Sequence, residues 1–559
     1  MQKFRVRTNI PLLLVLLLFG VIYCAISLVN HYLFRTNALD LGMFNHAIYY
    51  FSRLENAIFS LSVNGEENNY FADHFSPLTV LLAPFRYLFG TYTLLVLQIA
   101  AILFGGYGIF KLAVRSGLKH WLALVVLIQF FSIWAIYSAL AFDFHTNVLA
   151  AMFVPWLVYF YRTDNRPWFL VFFMLILFSK ENMALWLVFI MLGLMIRKNA
   201  DLKKYLRFEL PLVFLAFLYT VVVVVWAMPE LSSTGDNVQM NRYAYLGDGL
   251  TTKLQTILSS PLETFDLLFY QTRFPDAPLG IKAEFHITML LSGGFLLLFR
   301  PKYLVMLIPI YAQKFLSSTM EQWSIMEHYS IEFVPIISLA VVDCTKWFNN
   351  DRYKGVLLIL VSISTIVVSV NKLNSNNKPW YDNTNVDLFS AKHYHAGLDH
   401  NEVLEAIALL PSSAPISVSS HLAPHLAFRE KIYFFPNIND AEYVALIYKD
   451  RDLYPMNKRS LHALVDSLIE KGNFELIHFE PNTMVLRRKG IIPDPHDLLP
   501  PPKLTWNARV EEYRQIILKD SVWLENVRQK SIVNSISVEE MLENDAVFLT
   551  ERELKSDMP

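Results

Sequence analysis

One isolated aspartate and two aspartate–histidine pairs are the first candidates for chemistry in this chain. Asp40 stands in an otherwise apolar stretch, and the pairs Asp73-His74 and Asp143-x-His145 follow it. An aspartate can act as a general base, and an aspartate near a histidine can form an oriented acid–base pair or supply two ligands to a divalent metal ion. Each also has a structural explanation, as a helix N-cap or an interfacial histidine. We treat Asp40 and Asp143 as candidate catalytic residues and Asp73, His74 and His145 as candidate metal ligands.

A second group of candidates carries positive charge or an aromatic hydroxyl. Lys180-Glu181 interrupts an apolar stretch, Lys314 lies near the end of another, and His328-Tyr329 precedes a third. Lys180 could bind an anionic headgroup or a phosphate while Glu181 orients it, or the two could form a salt bridge between short helices. Lys314 is a second phosphate candidate, or a lysine that extends its ammonium to the membrane surface. His328 and Tyr329 are candidate substrate contacts, or members of an interfacial aromatic belt.

The composition shows what kind of element must position these residues. The 559 residues are 54% hydrophobic and 17% charged, whereas soluble domains carry about 25% charged residues. Residues 1–371 contain 27 Lys/Arg and 22 Asp/Glu, 49 charges or 13%, and residues 372–559 contain 48 charges in 188 positions, or 26%. The net charge of −1 argues against nucleic-acid binding, and the two cysteines are too few for a disulfide framework or a cysteine metal site. A polytopic α-helical membrane protein with a soluble tail is predicted.

The apolar stretches of residues 1–371 predict about eleven transmembrane helices. The predicted spans are 10–29, 91–114, 120–139, 145–161, 167–179, 182–196, 208–227, 282–299, 303–317, 331–347 and 355–371. The first is interpreted as an uncleaved anchor rather than a signal peptide, because no convincing small-residue cleavage site follows it. The polar break at 179–181 separates two short helices, since a charged pair at the centre of one lipid-facing span would be costly.

The basic residues favour one orientation of these spans. Eighteen of the 27 basic residues of the body lie in the amino tail and in segments 111–119, 162–166, 197–207, 300–302 and 346–354, all on one side of the predicted topology. The positive-inside rule places these segments and the amino terminus in the cytoplasm, and residues 372–559 outside the cytoplasmic membrane. The candidate residues then all fall on the outer face, which predicts an active site there.

The polar segments divide into a first outer loop and a tail. The loop, 31–76, carries a predicted interfacial helix over 40–60, and a short helix is predicted over 78–89. The tail comprises a polar linker 372–400, a small α/β domain 401–490, a proline-rich linker 491–505 and a charged helical tail 506–559. Within the α/β domain the sequence predicts helices at 401–410, 421–428 and 460–471 and strands at 416–419, 443–448, 474–479 and 483–488.

The succession of motifs resembles a family of bacterial polytopic membrane proteins, the domain of unknown function number 2079. The motifs are Leu39-Asp40-Leu-Gly-Met-Phe44, His74-Phe-Ser-Pro77, Phe142-Asp-Phe-His145, Lys180-Glu181 and His328-Tyr329, and the similarity covers most of residues 30–490, including Ala427-Phe-Arg-Glu-Lys-Ile-Tyr433. More distantly, the layout is similar to GT-C glycosyltransferases, in which one acid follows the first span, as Asp40 does, and a second acid lies in the next outer loop, as Asp143 does. The adjacent acidic pair usual in that fold is not present, since Leu41 follows Asp40.

The GT-C resemblance implies transfer of a sugar from a polyprenyl-phosphate donor to a cell-envelope acceptor. In that mechanism Asp40 deprotonates the acceptor hydroxyl, Asp143 positions the acceptor or helps to bind a divalent metal, and Lys180, with Lys314, stabilises the departing phosphate. The main alternative is a transporter or lipid flippase, which would need ionisable residues near the bilayer centre and an internal repeat. A non-catalytic membrane scaffold is a further alternative, and it would tolerate alanine at Asp40.

Overall fold

The computed structural model of the protein describes residues 9–197, 202–233, 235, 238–270, 274, 277–374, 383–395, 397–447, 453–491, 506–534 and 536–556. The chain divides into two compact units. The first, here called the helical body, comprises Met1–Arg35, Ala47–Ile58 and Asn68–His395. The second, the sheet unit, comprises Thr36–His46, Phe59–Glu67 and Ala396–Pro559. Nearly all of the proline-rich linker predicted at 491–505 lies outside the described residues.

Each of the eleven predicted spans coincides with helix. The helices up to residue 374 are α1 (Ile10–Tyr32), α2 (Met43–Phe51), α3 (Tyr70–Asp73), α4 (Leu78–Leu82), α5 (Arg86–Phe89), α6 (Thr93–Arg115), α7 (His120–Phe131), α8 (Trp134–Ala141), α9 (Thr146–Arg162), α10 (Arg166–Leu177), α11 (Glu181–Met195), α12 (Leu202–Lys204), α13 (Leu210–Val221), α14 (Met228–Leu231), α15 (Gly249–Ser259), α16 (Pro261–Phe269), α17 (Ile281–Leu291), α18 (Pro301–Phe315), α19 (Met320–Trp323), α20 (Phe333–Cys344) and α21 (Asp351–Asn374). Strands β1 (Ile58–Phe59) and β2 (Asn68–Asn69) pair as a short two-stranded sheet.

Part of this helical structure is long and apolar enough to cross a membrane. Ile10–Tyr32, Leu78–Arg115, Leu202–Leu231 and Asp351–Asn374 meet both conditions, and α7 with α8, bent by 44°, makes a fifth candidate if the pair is one span. The prediction of a helical membrane protein is therefore confirmed. Length does not support the count of eleven, because α9 has 17 residues and α10 and α20 have 12 each, whereas a span needs about 20.

Glycines allow two helices of the body to approach closely. A Cβ added at Gly105 of α6 would lie 2.9 Å from Cβ of Met152 on α9, and one at Gly108 would lie 3.0 Å from Cβ of Pro155. Small residues let helix backbones pack at short distance, and Trp156 donates from Nε1 to the Phe104 carbonyl at 2.9 Å. The middle of α9 is thereby packed closely against α6.

The segment predicted as a polar linker is partly fastened to α1. Its residues 383–395 contain two 3-10 turns, Asn383–Asn385 and Ala391–Tyr394. Arg35 donates to the carbonyls of His393 at 2.8 Å and Lys392 at 3.0 Å, and the His393 ring bonds to the Ala25 carbonyl at 2.8 Å. A guanidinium suits this role because its donors form a planar fork.

The sheet unit has a mixed five-stranded sheet in the order β4-β3-β5-β7-β6. The strands are β3 (Ile416–Val418), β4 (Ile432–Phe434), β5 (Tyr443–Ile447), β6 (Phe474–Phe479) and β7 (Thr483–Arg488). β3 is parallel to β4 and β5, and β7 is antiparallel to β5 and β6. Its helices are α22 (His400–Ala408), α23 (Ala423–Leu426), α24 (Lys458–Glu470), α25 (Trp506–Lys519), α26 (Ser521–Asn534) and α27 (Val538–Ser556). Buried residues of α24, β5, β6, β7 and the last three helices form one hydrophobic core.

Two segments of the first predicted loop belong to the sheet unit. Asn45 donates to the Pro424 carbonyl at 3.0 Å, Ser60 donates to the Ile432 carbonyl at 2.6 Å, and Asn437 donates to the Ser62 carbonyl at 2.9 Å. The helix expected over 40–60 is shorter, because it ends at Phe51 and the chain turns at Leu54 with a φ of 60°.

Candidate active site

Two histidines lie face to face at the beginning of α9 and in the loop before α20. The ring centroids of His145 and His328 are 3.5 Å apart with 19° between the planes, and Phe142 stacks on His145 at 5.5 Å. Tyr329 lies beside His328, with ring centroids 4.1 Å apart. Burial, the neighbouring His145 and the positive charge of Lys180 hold the pKa of His328 well below its ordinary value. His328 is therefore neutral near pH 7, as close stacking on a second imidazole requires.

The backbone that carries His145 is fixed from α6. The Gln98 side chain donates to the Asp143 carbonyl at 2.8 Å and accepts from the His145 amide at 3.0 Å. Asp143 has a φ of 56°, a conformation that few non-glycine residues adopt, and its side chain is buried. Glu327, directly before His328, has a φ of 57°. A residue with left-handed backbone conformation therefore lies two positions before His145 and another directly before His328. Such conformational outliers are frequent at functional sites.

Asp73 and His74 form an oriented pair at the end of α3. Nδ1 of His74 lies 2.9 Å from Oδ2 of Asp73, and Gln239 donates from Nε2 to Oδ1 at 2.8 Å. Burial by itself would raise the pKa of Asp73, but His74, Gln239 and Lys180 together hold that pKa below its ordinary range. Asp73 is therefore ionised at neutral pH and can orient the imidazole, as a carboxylate does in acid–base catalysis.

Lys180 and Glu181 occupy the break between α10 and α11. α10 ends at Leu177 and α11 begins at Glu181, so two helices form here, as predicted. Glu181 accepts from the Phe75 amide at 3.1 Å, and the Leu78 amide donates to the Phe178 carbonyl at 2.9 Å. These bonds fasten the Asp73-His74 segment to the break. The charge of Lys180 acts on Asp73, His145 and His328.

Lys314 holds the loop that carries His328. Its ammonium donates to the carbonyls of Gln322 and Ser324, the latter at 2.7 Å, and to Oγ of Ser330 at 3.1 Å. The side chain is 3% exposed. All three of these acceptors are protein atoms, so the geometry makes Lys314 a positioning residue, and its predicted role in phosphate binding stays a prediction.

Sequence reasoning missed three polar residues that complete the site. Asn147 donates to Oε1 of Glu332 at 2.8 Å and to the His328 carbonyl at 3.4 Å, and Gln98 fixes His145 as described above. An amide or carboxylate inside an apolar stretch is the signal that could have identified them, since buried polar groups need partners. Nδ1 of His328 and Oδ1 of Asn147 are among the described atoms that are buried without a hydrogen-bond partner. These two atoms are available for polar contacts with a substrate.

The remaining predicted catalytic residue, Asp40, lies in the sheet unit. It stands in a π-helical turn, Ala38–Gly42, and is half-buried. The Ala38 amide donates to Oγ of Ser420 at 3.3 Å, and the Thr36 carbonyl bonds to the His421 ring at 3.0 Å. The backbone around Asp40 is therefore fixed by the tail segment of the same unit.

The site in the helical body combines groups for proton transfer and for anion stabilisation. It brings together seven of the predicted residues: Asp73, His74, His145, Lys180, Glu181, His328 and Tyr329. Within the described part of the chain, no group of three or more His, Cys, Asp or Glu side chains has a geometry that could hold a metal ion. Asp73 and His74 form the oriented pair described above, and the metal role predicted for Asp73, His74 and His145 stays a prediction.

Comparison with known proteins adds one match. A family profile described as "Predicted membrane protein (DUF2079)" matches residues 30–485. The matched segment contains every candidate residue of the site as well as Asp40, and it ends before the last three helices. No curated protein matches the chain.

Proposed function

Because the chain belongs to the DUF2079 family of predicted membrane proteins, we propose an activity that uses a donor already present in the membrane: transfer of a sugar from a polyprenyl-phosphate lipid to an acceptor hydroxyl. The observation that carries this proposal is the assembly of the Asp73-His74 pair, Lys180 and the His145–His328 stack in one part of the helical body. The proposed setting is a bacterial inner membrane, crossed up to eleven times in a GT-C-like arrangement, with the site on the outer face.

The Asp73-His74 pair supports a role in proton transfer. A general base must deprotonate the acceptor hydroxyl as it attacks the anomeric carbon. His74, oriented by the ionised Asp73, is the candidate base within the helical body. Asp40 is the candidate base implied by the GT-C resemblance, with Asp143 as the residue that positions the acceptor. The proposal therefore includes two candidate bases, and the variants described below separate them.

Lys180 supports the second half of the reaction. When the acceptor oxygen bonds to the anomeric carbon, the bond from that carbon to the phosphate oxygen breaks, and polyprenyl phosphate departs with the electron pair. Negative charge then increases on the phosphate, and a fixed cation in a partly buried site stabilises it more strongly than water does. Lys180 is the proposed cation, and the unpartnered atoms of His328 and Asn147 are proposed contacts for sugar hydroxyls.

The test is turnover of lipid-linked sugars by the full-length protein. Purified protein in nanodiscs is incubated with a panel of radiolabelled polyprenyl-phosphate sugars and an extract of cell-envelope acceptors, and the loss of label from the lipid is followed. We expect Lys180→Met to lower turnover by about 100-fold, the usual effect of removing one transition-state charge donor. His74→Gln and Asp40→Asn identify the base, because only the variant that lacks the base loses turnover to a similar extent.

Lys119→Met is the matched control. Lys119 is 67% exposed and pairs with Asp351, so the same substitution there should leave turnover unchanged. Full turnover by a folded Lys180→Met protein would contradict the proposal. Movement of intact labelled lipid across a vesicle membrane, without cleavage of the sugar, would show a flippase instead.

A further inference from the structure

Three helices, α9, α18 and α20, have residues of the candidate site at or near one end. Their opposite ends meet in a cluster of basic residues, here called the basic group: Arg162, Arg300, Lys302 and Lys346. α9 follows His145 and ends at Arg162, α18 begins beside Lys302 and ends next to Lys314, and α20 follows Glu332 and ends beyond Asp343. At 1.5 Å per residue, the 17 residues of α9 span about 25 Å. The basic group is therefore remote from the candidate active site and is not explained by the proposed reaction.

One buried carboxylate organises this basic group. Asp343 is 3% exposed. It accepts from Arg162 at 3.1 Å, from Lys302 and from Lys346 at 2.9 Å, and its backbone carbonyl accepts from Arg300 at 2.8 Å. These residues carry four positive charges and one negative charge, so the group has an excess of three positive charges.

The excess charge lies beside exposed apolar side chains. Leu298, Phe299 and Trp347 are 65%, 59% and 46% exposed. The Arg300 guanidinium lies 5.0 Å from the centroid of the Trp347 ring, and Phe299 meets the same ring edge-on at 5.5 Å. Lys346 is accessible as well, since its side chain is 52% exposed. A cationic surface bordered by exposed aromatic and aliphatic groups is complementary to a molecule with an anionic head and apolar chains.

We propose that Arg300, Lys302 and Lys346 bind the headgroup phosphate of an acidic phospholipid whose chains lie against Leu298, Phe299 and Trp347. Asp343 acts as the positioning residue, because it holds the basic side chains together without neutralising them. The bound lipid bridges the ends of α18 and α20, since Arg300 and Lys302 lie at the start of α18 and Lys346 lies two residues beyond the end of α20. Binding therefore stabilises the arrangement of these two helices.

The test is the thermal stability of the full-length protein in mixed micelles that contain phosphatidylglycerol or phosphatidylcholine. We expect phosphatidylglycerol to raise the Tm by several degrees more than phosphatidylcholine does, and high salt to reduce this difference. The double variant Arg300→Gln/Lys346→Gln should lose about half of the difference or more, because each basic residue contributes to the attraction of an anionic lipid. Lys119→Gln, at an exposed basic residue that pairs with Asp351 and is not part of this group, should keep all of it.

Three results would overturn the proposal. They are an unchanged phosphatidylglycerol effect in the double variant, an equal loss in Lys119→Gln, and an equal stabilisation by glycerol 3-phosphate alone, which would show a simple anion site. If the double variant does not yield folded protein, Lys346→Gln alone replaces it, because this exposed side chain can be changed without disturbing the core; retention of the full lipid effect in that variant also contradicts the proposal. None of these measurements depends on sugar transfer.

Discussion

The clearest test of the site's architecture is Lys314→Met. Methionine keeps the unbranched chain but removes the ammonium, so the carbonyls of Gln322 and Ser324 and the hydroxyl of Ser330 lose their donor inside the protein. Hydrogen bonds to a charged group contribute about 1.5–3 kcal/mol each, and bonds that share one donor are not additive. The loss of all three should therefore lower the free energy of unfolding by about 3–5 kcal/mol and loosen the loop that carries His328.

Thermal unfolding of the detergent-solubilised protein, followed by intrinsic fluorescence, measures this effect, with turnover as the second measurement. Lys119→Met is the control, and its cost should be below about 1 kcal/mol because exposed ion pairs contribute little. The two roles of Lys314 give different results: a positioning residue costs stability, whereas a phosphate-binding residue costs turnover and leaves the Tm near that of the wild type. A Tm within a degree or two of the wild type would refute the positioning role.

Three further predictions concern other parts of the chain. Asp343→Asn should destabilise the helical body by about 3 kcal/mol in the same thermal scan, because the buried carboxylate is the shared counter-charge of Arg162, Lys302 and Lys346; an unchanged Tm would contradict the described ion cluster. Glu402→Gln should speed hydrogen exchange in β6 and β7. The Glu402 carboxylate accepts from the Asn482 backbone amide at 2.6 Å and from the Asn482 side chain at 2.7 Å, whereas the side chain of glutamine has one acceptor oxygen. Unaltered exchange in both strands would contradict this prediction. Burial lowers the pKa of His46 to about 4, below the ordinary value of about 6.5, so the unfolded chain binds a proton that the folded chain excludes. Stability should fall as the pH drops from about 6.5 towards 4, and His46→Asn should flatten that part of the profile; an identical slope in both proteins would exclude His46 as its source.

Much of the fold could be predicted because its local signals are strong. Continuous apolar stretches predict helices, and the break at Lys180-Glu181 ends one helix and begins another as expected. The strand patterns of segments 474–479 and 483–488, separated by Pro481-Asn482, predict the hairpin β6–β7 with its observed bounds. β4 was missed because it has three residues, Ile432–Phe434, and directly follows charged ones. Strands that short are defined by pairing with neighbours rather than by their own pattern.

The site could be predicted only in its residue types. The sequence shows that Asp73-His74 and Lys180 have useful chemistry, but the contacts of Gln98 and Asn147 depend on how α6, α9 and α20 pack. Those helices are far apart in the sequence, so no local sequence pattern predicts that they contact one another. Lys314 illustrates the same limit: a lysine near a helix end has two ordinary interpretations from the sequence, and the structure gives it a third, as a clamp on the 322–330 loop.

The division of the first predicted loop between two units bears on the identity of the base. Asp40 is fixed by hydrogen bonds that its neighbours make with the tail segment of the sheet unit, whereas His74 is fixed within the helical body by Asp73 and by the Phe75–Glu181 bond. If Asp40 is the base, weakening its local framework should reduce turnover even though no atom of the Asp73-His74 pair changes. Ser420→Ala removes the hydroxyl that accepts from the Ala38 amide, and Glu181→Gln changes the acceptor beside His74. A loss of turnover in the first variant alone favours Asp40, and a loss in the second alone favours His74.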